Sequence, residues 1–315
     1  MAKSKTSNFD EVRYYFKQAT LEEGRKARCG IVFVHGLRDH AGTHDFFFKQ
    51  LTDEGCHILS FDLLGHGYSP GERCSIEDYN EHVLLVWHSI VRAIRRHFPL
   101  HLPLVLMGYS YGFSLVVHAL TVLDNANKQI GRILQSRVDL VVGMSPALKI
   151  THDTPVTEFF SPVLAFLSRH IVNIPYKPIE ASNISDDEVF LSTIETDEKV
   201  FKGHISVHTA ANVLAAGREA MKRLPDIPLP FLLIFGGDDF VLPPTAEELK
   251  HRDDITVRIL KGGKHNIFDG DNLFAGRTLE IILQAIDEHC WIPEMEMDLD
   301  IQPVTINNEP DENQN

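Results

Sequence analysis

The amino-acid sequence predicts an α/β fold in which helices cover both faces of a mostly parallel sheet. Short apolar segments rich in Val, Ile, Leu and Phe alternate along the chain with longer segments of helical character. Strands that are buried on both faces are apolar throughout, because neither side of such a strand meets water. The alternation of strands and helices favours parallel strands that are joined by crossover helices.

The individual elements follow from these apolar and helical segments. Strands are predicted at residues 13–19, 30–34, 57–62, 104–107, 138–143, 231–235 and 256–260. Helices are predicted at residues 45–54, 76–97, 110–123, 244–251 and 272–289. Each helix separates two strands or follows the last one, as crossover connections require.

The alternation is interrupted between residues 147 and 225. This stretch is helical in character and holds no convincing strand, and prolines at 155, 162, 175 and 178 punctuate it. A helical insertion that returns to the sheet is the way a cap is built. We therefore predict a core formed by residues 9–146 and 226–292, a helical cap at residues 147–225, and a disordered acidic tail at residues 293–315.

Composition and charge exclude several classes of partner. The formal net charge of the 315 residues is −14, so nucleic acid is not an expected partner. The four cysteines have no C-x-x-C spacing, which indicates reduced thiols and predicts no metal site. The first eight residues lack the apolar region of a signal peptide, and no apolar stretch is long enough to span a membrane. We expect a cytoplasmic protein, and the sequence suggests no protein partner.

The most informative motif is the pentapeptide Gly108-Tyr109-Ser110-Tyr111-Gly112, which has the pattern G-x-S-x-G. It follows a predicted strand and precedes an apolar segment that is compatible with a helix. A strand, a tight turn and a helix would expose the serine oxygen at the tip of the turn, where a nucleophile must stand. A purely structural turn is the alternative interpretation.

A serine nucleophile needs a base, and the base needs a carboxylate that orients it. In this architecture the chain order is serine, acid, histidine, with the last two in loops just beyond strand ends. Asp238 and Asp239 follow the strand predicted at residues 231–235, and His265 follows the strand at residues 256–260 and a glycine pair. The loops therefore offer both missing residue types, with either aspartate as the acid.

An oxyanion hole requires two backbone N–H groups that point at the oxygen gaining charge. One is expected from Tyr111, the residue after the predicted nucleophile, and the other from the loop after an early strand. That loop begins His35-Gly36-Leu37, and Gly36 would let the backbone approach closely, so the N–H of Leu37 is the predicted second donor. By itself this loop could equally be an ordinary turn between a strand and a helix.

These motifs resemble those of the α/β-hydrolase superfamily, and within it the monoacylglycerol lipase and lysophospholipase group. The resemblance covers residues 12–290. The matching blocks are residues 35–40, 61–73, 108–112, 236–239 and 263–265, and the G-H-G-x-S-x-G-E-R block at residues 65–73 is the most specific. The resemblance implies the α/β-hydrolase fold without a cofactor or metal. It also implies Ser110 as nucleophile, His265 as base and, through the G-x-x-D spacing from Gly236, Asp239 as the acid.

The sequence departs from the group's pattern in two places. The group usually has His before the nucleophile and Met after it, whereas both positions are tyrosine here, Tyr109 and Tyr111. The segment after His265, Asn-Ile-Phe-Asp at residues 266–269, also differs from the usual continuation. The tyrosines leave the shape of the acyl pocket, and hence the preferred chain length, open.

The chemistry of the motifs predicts two-step acyl transfer from an ester or thioester to water. The resemblance implies that the substrate is a small lipid ester, a monoacylglycerol or lysophospholipid. The apolar stretch at residues 158–167 predicts a cap surface that contacts membrane lipid, or alternatively a helix that buries one face on the core. One competing interpretation is a lipid acyltransferase, since His40 and Asp45 match the short pattern H-x-x-x-x-D. Another is a non-catalytic lipid-binding protein of the same fold.

Overall fold

Seven strands form one sheet in which only the first strand runs antiparallel to its neighbour. The computed structural model describes residues 9–122, 131–149, 175–176, 181–241, 243–245, 247–271 and 273–290. The strands of the sheet are β1 Tyr14–Lys17, β2 Cys29–Val34, β3 Cys56–Phe61, β4 Leu104–Tyr109, β5 Leu140–Met144, β8 Phe231–Gly236 and β9 Ile255–Leu260. Their order across the sheet is β1-β3-β2-β4-β5-β8-β9, and all seven lie where the sequence predicts strands.

Helices cover the two faces of the sheet. The α-helices of the described chain are α1 Asp45–Asp53, α2 Tyr79–Arg96, α3 Tyr111–Leu120, α4 Gly131–Gln135, α5 Glu188–Thr196, α6 Val207–Arg223 and α7 Leu273–His289. Alternate residues of a strand point to opposite faces, so Val32 and Val34 of β2 join one apolar cluster while Ile31 and Phe33 join the other. Both faces are therefore buried, as the apolar strands predicted.

The prediction of a helix at residues 244–251 is wrong. The described residues there form a hydrogen-bonded turn, in which the Leu249 N–H donates to the Thr245 carbonyl at 3.1 Å. Lys250 and His251 then have φ angles of 53° and 52°, in the left-handed region that a helix cannot use. The apolar and charged pattern of this segment resembles a helix, but the backbone leaves the helical region after one turn.

The expectation that residues 147–225 contain no strand is also wrong. A small second sheet pairs β6, Pro175–Tyr176, with β7, Ile205–Ser206, in antiparallel register. Strands of two residues are too short to show an alternating pattern in the sequence. The apolar stretch at residues 158–167 and the tail predicted to be disordered lie outside the described residues.

The insertion between β5 and β8 ends in a helix that packs on the core. Ala216 and Ala220 of α6 are fully buried in the same apolar cluster as Val116 of α3. A Cβ atom at Gly217 would lie only 2.2 Å from the Ala147 carbonyl oxygen, so glycine permits this close approach. Part of the predicted cap thus belongs to the helical layer that covers the sheet. None of the described helices is long and apolar enough to cross a membrane.

Candidate active site

Ser110 lies in a strained turn between β4 and α3. Its φ and ψ angles are 51° and −119°, a conformation that costs free energy for any residue with a side chain. Hydrogen bonds to the end of β5 hold it there: the Ser110 N–H donates to the Met144 carbonyl at 3.0 Å, and the Ala147 N–H donates to the Ser110 carbonyl at 3.1 Å. The turn therefore fixes the serine at the carboxyl edge of the parallel strands.

The two glycines of the motif are required by close backbone contacts. A Cβ atom at Gly108 would lie 2.4 Å from the Cα of Phe113, in the first turn of α3. A Cβ atom at Gly112 would lie 2.3 Å from the Val34 carbonyl oxygen at the end of β2. Both distances are far below van der Waals contact, so the strand and the helix can meet at this angle only with glycine at these positions.

His265 lies in the loop after β9 and contacts both Ser110 and Asp239. Its Nε2 is 2.9 Å from the Ser110 Oγ, and its Nδ1 is 2.9 Å and 3.0 Å from the two carboxylate oxygens of Asp239. A carboxylate only accepts hydrogen bonds, so Nδ1 carries the proton and Nε2 is left to accept from the serine hydroxyl. The Asp239 side chain has no exposed surface, and the aspartate lies three residues after the end of β8 at Gly236.

The two aspartates after β8 lie in different surroundings. Asp239 is the aspartate whose carboxylate contacts His265, and it also accepts a 3.2 Å hydrogen bond from the Val241 N–H. Asp238 is exposed, and its backbone N–H donates to the Gly263 carbonyl at 2.9 Å. The two adjacent carboxylates are therefore distinguished by position, and the one that contacts His265 is the aspartate that the resemblance implies.

The loop after β2 packs directly against the Ser110 turn. A Cβ atom at Gly36 would lie 3.4 Å from the Ser110 Cβ, so this backbone reaches the serine with little room to spare. Two hydrogen bonds of the His35 ring hold this loop in place. The Nδ1–H donates to the Gly36 carbonyl at 2.8 Å, and Nε2 accepts from the Leu63 N–H at 2.9 Å. Burial lowers the pKa of His35 well below its usual value, which keeps the ring neutral as both bonds require. Leu37 follows Gly36 in this loop.

Segments of the insertion between β5 and β8 hold both loops beside Ser110. The Phe201 N–H donates to the Arg38 carbonyl at 2.9 Å, and Arg38 Nε donates back to the Phe201 carbonyl at 2.8 Å. On the other side, the Asn266 N–H donates to the Ile184 carbonyl at 2.7 Å. The described part of this insertion is thus joined by backbone hydrogen bonds to the loop of Leu37 and to the loop of His265.

The tyrosines that flank Ser110 contact three histidines, of which the sequence singled out only His265. The Tyr109 ring lies 5.2 Å from the His265 ring and 5.9 Å from the His44 ring. The Tyr111 hydroxyl lies 3.3 Å from His82 Nδ1. No sequence signal could have distinguished His44 and His82 among the 17 histidines, because neither belongs to a motif.

His40 and Asp45 have separate partners. His40 Nε2 is 2.9 Å from a carboxylate oxygen of Asp197, in the insertion between β5 and β8, and Asp45 forms an ion pair with Lys17 at 3.0 Å. The geometry therefore gives no support to the two residues acting as an acyltransferase pair. Within the described ranges, no group of His, Cys, Asp and Glu side chains could hold a metal ion.

The sheet order, the strained serine turn and the loops at its edge define an α/β-hydrolase. The model of the family described as "Serine aminopeptidase, S33" matches residues 25–272, and the chain belongs to this family. Among its relatives, human monoglyceride lipase is 25% identical over 240 residues, which cover 75% of each chain. The monoacylglycerol lipase of Mycolicibacterium smegmatis is 23% identical over 245 residues, which cover 76% of this chain and 81% of that one.

Solved structures show the same fold. The crystal structure of Paleococcus ferrophilus monoacylglycerol lipase superimposes with a TM-score of 0.69 at 23% identity, over 89% of this chain and 99% of that one. A soluble variant of the Saccharomyces cerevisiae monoglyceride lipase, in complex with a substrate analog, gives a TM-score of 0.68 at 16% identity, over 88% and 91% of the two chains. The α/β-hydrolase fold that the sequence predicts is confirmed.

Proposed function

We propose that this chain hydrolyses the carboxylic esters of single-chain lipids, monoacylglycerols or lysophospholipids, through an acyl-enzyme on Ser110. The observation that carries the proposal is the 2.9 Å contact between His265 Nε2 and the Ser110 Oγ, with Asp239 on the other ring nitrogen. The ester substrate is supported by the relatives, which are named monoglyceride and monoacylglycerol lipases. The family description names a peptidase instead, so peptide cleavage is the second candidate.

The proposed reaction begins when His265 Nε2 takes the Ser110 proton as the serine oxygen attacks the ester carbonyl. The backbone N–H groups of Leu37 and Tyr111 then hold the oxyanion, and the partial positive charge at the N-terminus of α3 favours it further. His265 returns the proton to the leaving alcohol, which leaves an acyl ester on Ser110. Water attacks that ester with His265 again as base, and the fatty acid departs.

Peripheral contact of the cap with a membrane is part of the proposal. Its support is the apolar sequence at residues 158–167, together with Val189 on α5, whose surface is 74% exposed. Co-sedimentation with phosphatidylcholine vesicles tests it, and we expect binding that weakens in Val189→Asp. Equal binding of the two proteins, or no binding of either, would contradict the contact.

The decisive experiment compares wild type with Ser110→Ala on monoacylglycerols, lysophospholipids, short p-nitrophenyl esters and aminoacyl p-nitroanilides. We expect turnover of a single-chain lipid ester, with kcat reduced on the order of 10⁴-fold or more in the variant because the nucleophile is lost. Ser114→Ala is the matched control, since this serine of α3 donates instead to the Ala147 carbonyl at 3.1 Å. It should keep most of the activity.

Each result has a definite consequence. Unchanged lipid hydrolysis in Ser110→Ala would remove the assigned nucleophile. Activity confined to short soluble esters would remove the lipid substrate and keep the ester hydrolase. Activity confined to the aminoacyl anilides would replace the ester with a peptide bond as the substrate.

A further inference from the structure

Two stretches that depart from the family pattern contact the same buried residue, His44. The His44 ring lies 5.9 Å from the ring of Tyr109, which precedes Ser110, and 5.3 Å from the ring of Phe268. His44 Nδ1 also forms a hydrogen bond with the carboxylate of Asp269. His44 precedes α1, so three separate parts of the chain meet at this ring.

His44 is a buried cation. Its side chain is about 1% exposed, and a second carboxylate, that of Asp39, lies 2.9 Å from its Nε2. Burial alone would lower the pKa of His44, but the carboxylates of Asp39 and Asp269 outweigh burial and raise it to about 10. Burial likewise acts against the charge on Asp39, yet the neighbouring His44 lowers the pKa of that carboxyl. The imidazolium is therefore charged at neutral pH, with a hydrogen bond from Nδ1 to Asp269 and an ion pair between Nε2 and Asp39. Burial raises the pKa of Asp269 although the neighbouring His44 acts to lower it.

Each carboxylate belongs to a loop that borders Ser110. Asp39 follows Leu37 by two residues in the loop after β2, and its other oxygen accepts a 2.8 Å hydrogen bond from the His40 N–H. The same oxygen also accepts from the Thr43 hydroxyl. These hydrogen bonds fix the carboxylate to the loop that carries the Leu37 N–H, the predicted second oxyanion donor.

Asp269 is joined in the same way to the loop of His265. The Asp269 N–H donates to the side-chain oxygen of Asn266 at 3.2 Å, and the Asn266 amide donates back to the Asp269 carbonyl at 3.2 Å. Asn266 is the residue after His265. A displacement of Asp269 would therefore be passed directly to the proposed base.

We propose that His44 is a positioning residue for the proposed reaction, a buried cation that binds one carboxylate from the Leu37 loop and one from the His265 loop. The inference rests on the proposed function. His44 does not touch the reacting atoms; it fixes the distance between the group that takes the proton and the groups that hold the oxyanion. Misplacement of about 1 Å between such groups costs on the order of 10²-fold in rate. The expected defect is in kcat, because the substrate contacts are unchanged.

The test uses two variants and their combination. Asp269→Asn keeps the shape of the side chain and removes one charge, so it disturbs folding less than a change of His44 itself. His44→Gln removes the cation but leaves two buried carboxylates facing each other, which is more destabilising. The matched control is His118→Gln, a buried histidine of α3 whose Nε2 donates to the Ala216 carbonyl at 2.9 Å.

We measure kcat and KM on the lipid ester that the wild-type protein hydrolyses fastest. The kcat is calculated per active site, with the concentration of active sites determined by fluorophosphonate titration. Counting titrated sites corrects for protein that fails to fold. We expect kcat to fall about 10- to 100-fold in Asp269→Asn and in His44→Gln, with KM within about twofold. The double variant should be no worse than His44→Gln, because residues that act as one unit are not additive. His118→Gln should keep the wild-type kcat.

A kcat per titrated site within about threefold of wild type in both single variants would overturn the inference, whatever their thermal stability. Additive losses in the double variant, or a rise in KM with kcat unchanged, would overturn it as well. These results leave the proposed function standing. Lack of ester turnover by the wild-type protein would overturn the proposed function and this inference together.

Discussion

On each side of Ser110 a tyrosine contacts a buried histidine, and the two histidines differ in charge. On the Tyr109 side, His44 is charged, because two carboxylates raise its pKa to about 10. On the Tyr111 side, burial lowers the pKa of His82 to about 3 and that of His66 to about 4, so both rings are neutral. The comparison teaches that burial alone makes a histidine neutral, and that adjacent carboxylates reverse this result.

On the Tyr111 side, ring contacts and backbone hydrogen bonds connect the neutral histidines to one another. The Tyr111 hydroxyl contacts His82 at 3.3 Å, and the His82 ring lies 6.0 Å from the His66 ring. His66 donates through Nδ1 to the Leu64 carbonyl at 2.9 Å, and its ring lies 5.5 Å from that of His35. This side supports the first turn of α3 and the Gly36 loop through neutral histidine rings, whereas the Tyr109 side contains the proposed proton-transfer groups.

The largest effect is expected from Asp239→Asn on the charged side. An amide can donate to His265 Nδ1 and so favour the wrong tautomer, in which Nε2 no longer accepts the serine proton. We expect kcat to fall on the order of 10⁴-fold. Asp238→Asn is the matched control at the adjacent, exposed position, and it should remain within a few-fold of wild type. Equal losses in the two variants, or the larger loss in Asp238→Asn, would show that the acid is misassigned.

The second effect is a loss of stability at alkaline pH that depends on His44. Its pKa is higher in the folded protein than the usual 6.5, so its contribution is fully present below pH 6.5 and is lost as pH rises toward 10. Between pH 7 and pH 9 the free energy of unfolding should fall by about 2 kcal/mol from this residue. Urea unfolding of wild type and His44→Gln at both pH values measures it. An identical pH dependence in the two proteins would contradict a charged His44.

The third effect has the opposite sign and belongs to His66. Its pKa is lower in the folded protein than in the unfolded chain, so the unfolded chain binds the proton first and stability falls as pH drops below 6.5. From pH 7 to pH 5 we expect the free energy of unfolding to fall by about 2 kcal/mol because of this buried residue. His66→Gln should reduce the acid loss and leave the alkaline loss intact. If His66→Gln changed the alkaline dependence instead, the contrast between the two sides would be wrong.

Much of the fold could be predicted because its signals are local. The sequence predicts the apolar strands to within a few residues. A strand that is buried on both faces is apolar throughout, so its own residues are enough to identify it. The strained Ser110 turn was predictable for the same reason: Gly108 and Gly112 are needed by the backbone at that point. The residues named for the site, Ser110, Asp239 and His265, lie within hydrogen-bonding distance, and their catalytic roles stay predictions.

The remaining features depend on contacts between distant parts of the chain. His44 and Asp269 are 225 positions apart, and nothing near either residue in the sequence indicates an ion pair. The choice of Asp239 over Asp238 comes from the resemblance, through the G-x-x-D spacing, because the residues alone do not show which of the two adjacent side chains points at His265. The helix predicted at residues 244–251 failed because the pattern of side chains does not reveal that Lys250 and His251 adopt positive φ angles.

The most direct test of the central claim is to locate the covalent adduct. The wild-type protein is treated with a fluorophosphonate, digested, and mapped by mass spectrometry, with His265→Ala and Asp238→Asn treated in parallel. The account predicts a single phosphonyl group on Ser110, formed at least 10²-fold more slowly in His265→Ala and at the wild-type rate in Asp238→Asn. An adduct on another residue, or equally fast labelling of Ser110 without the His265 imidazole, would contradict the account.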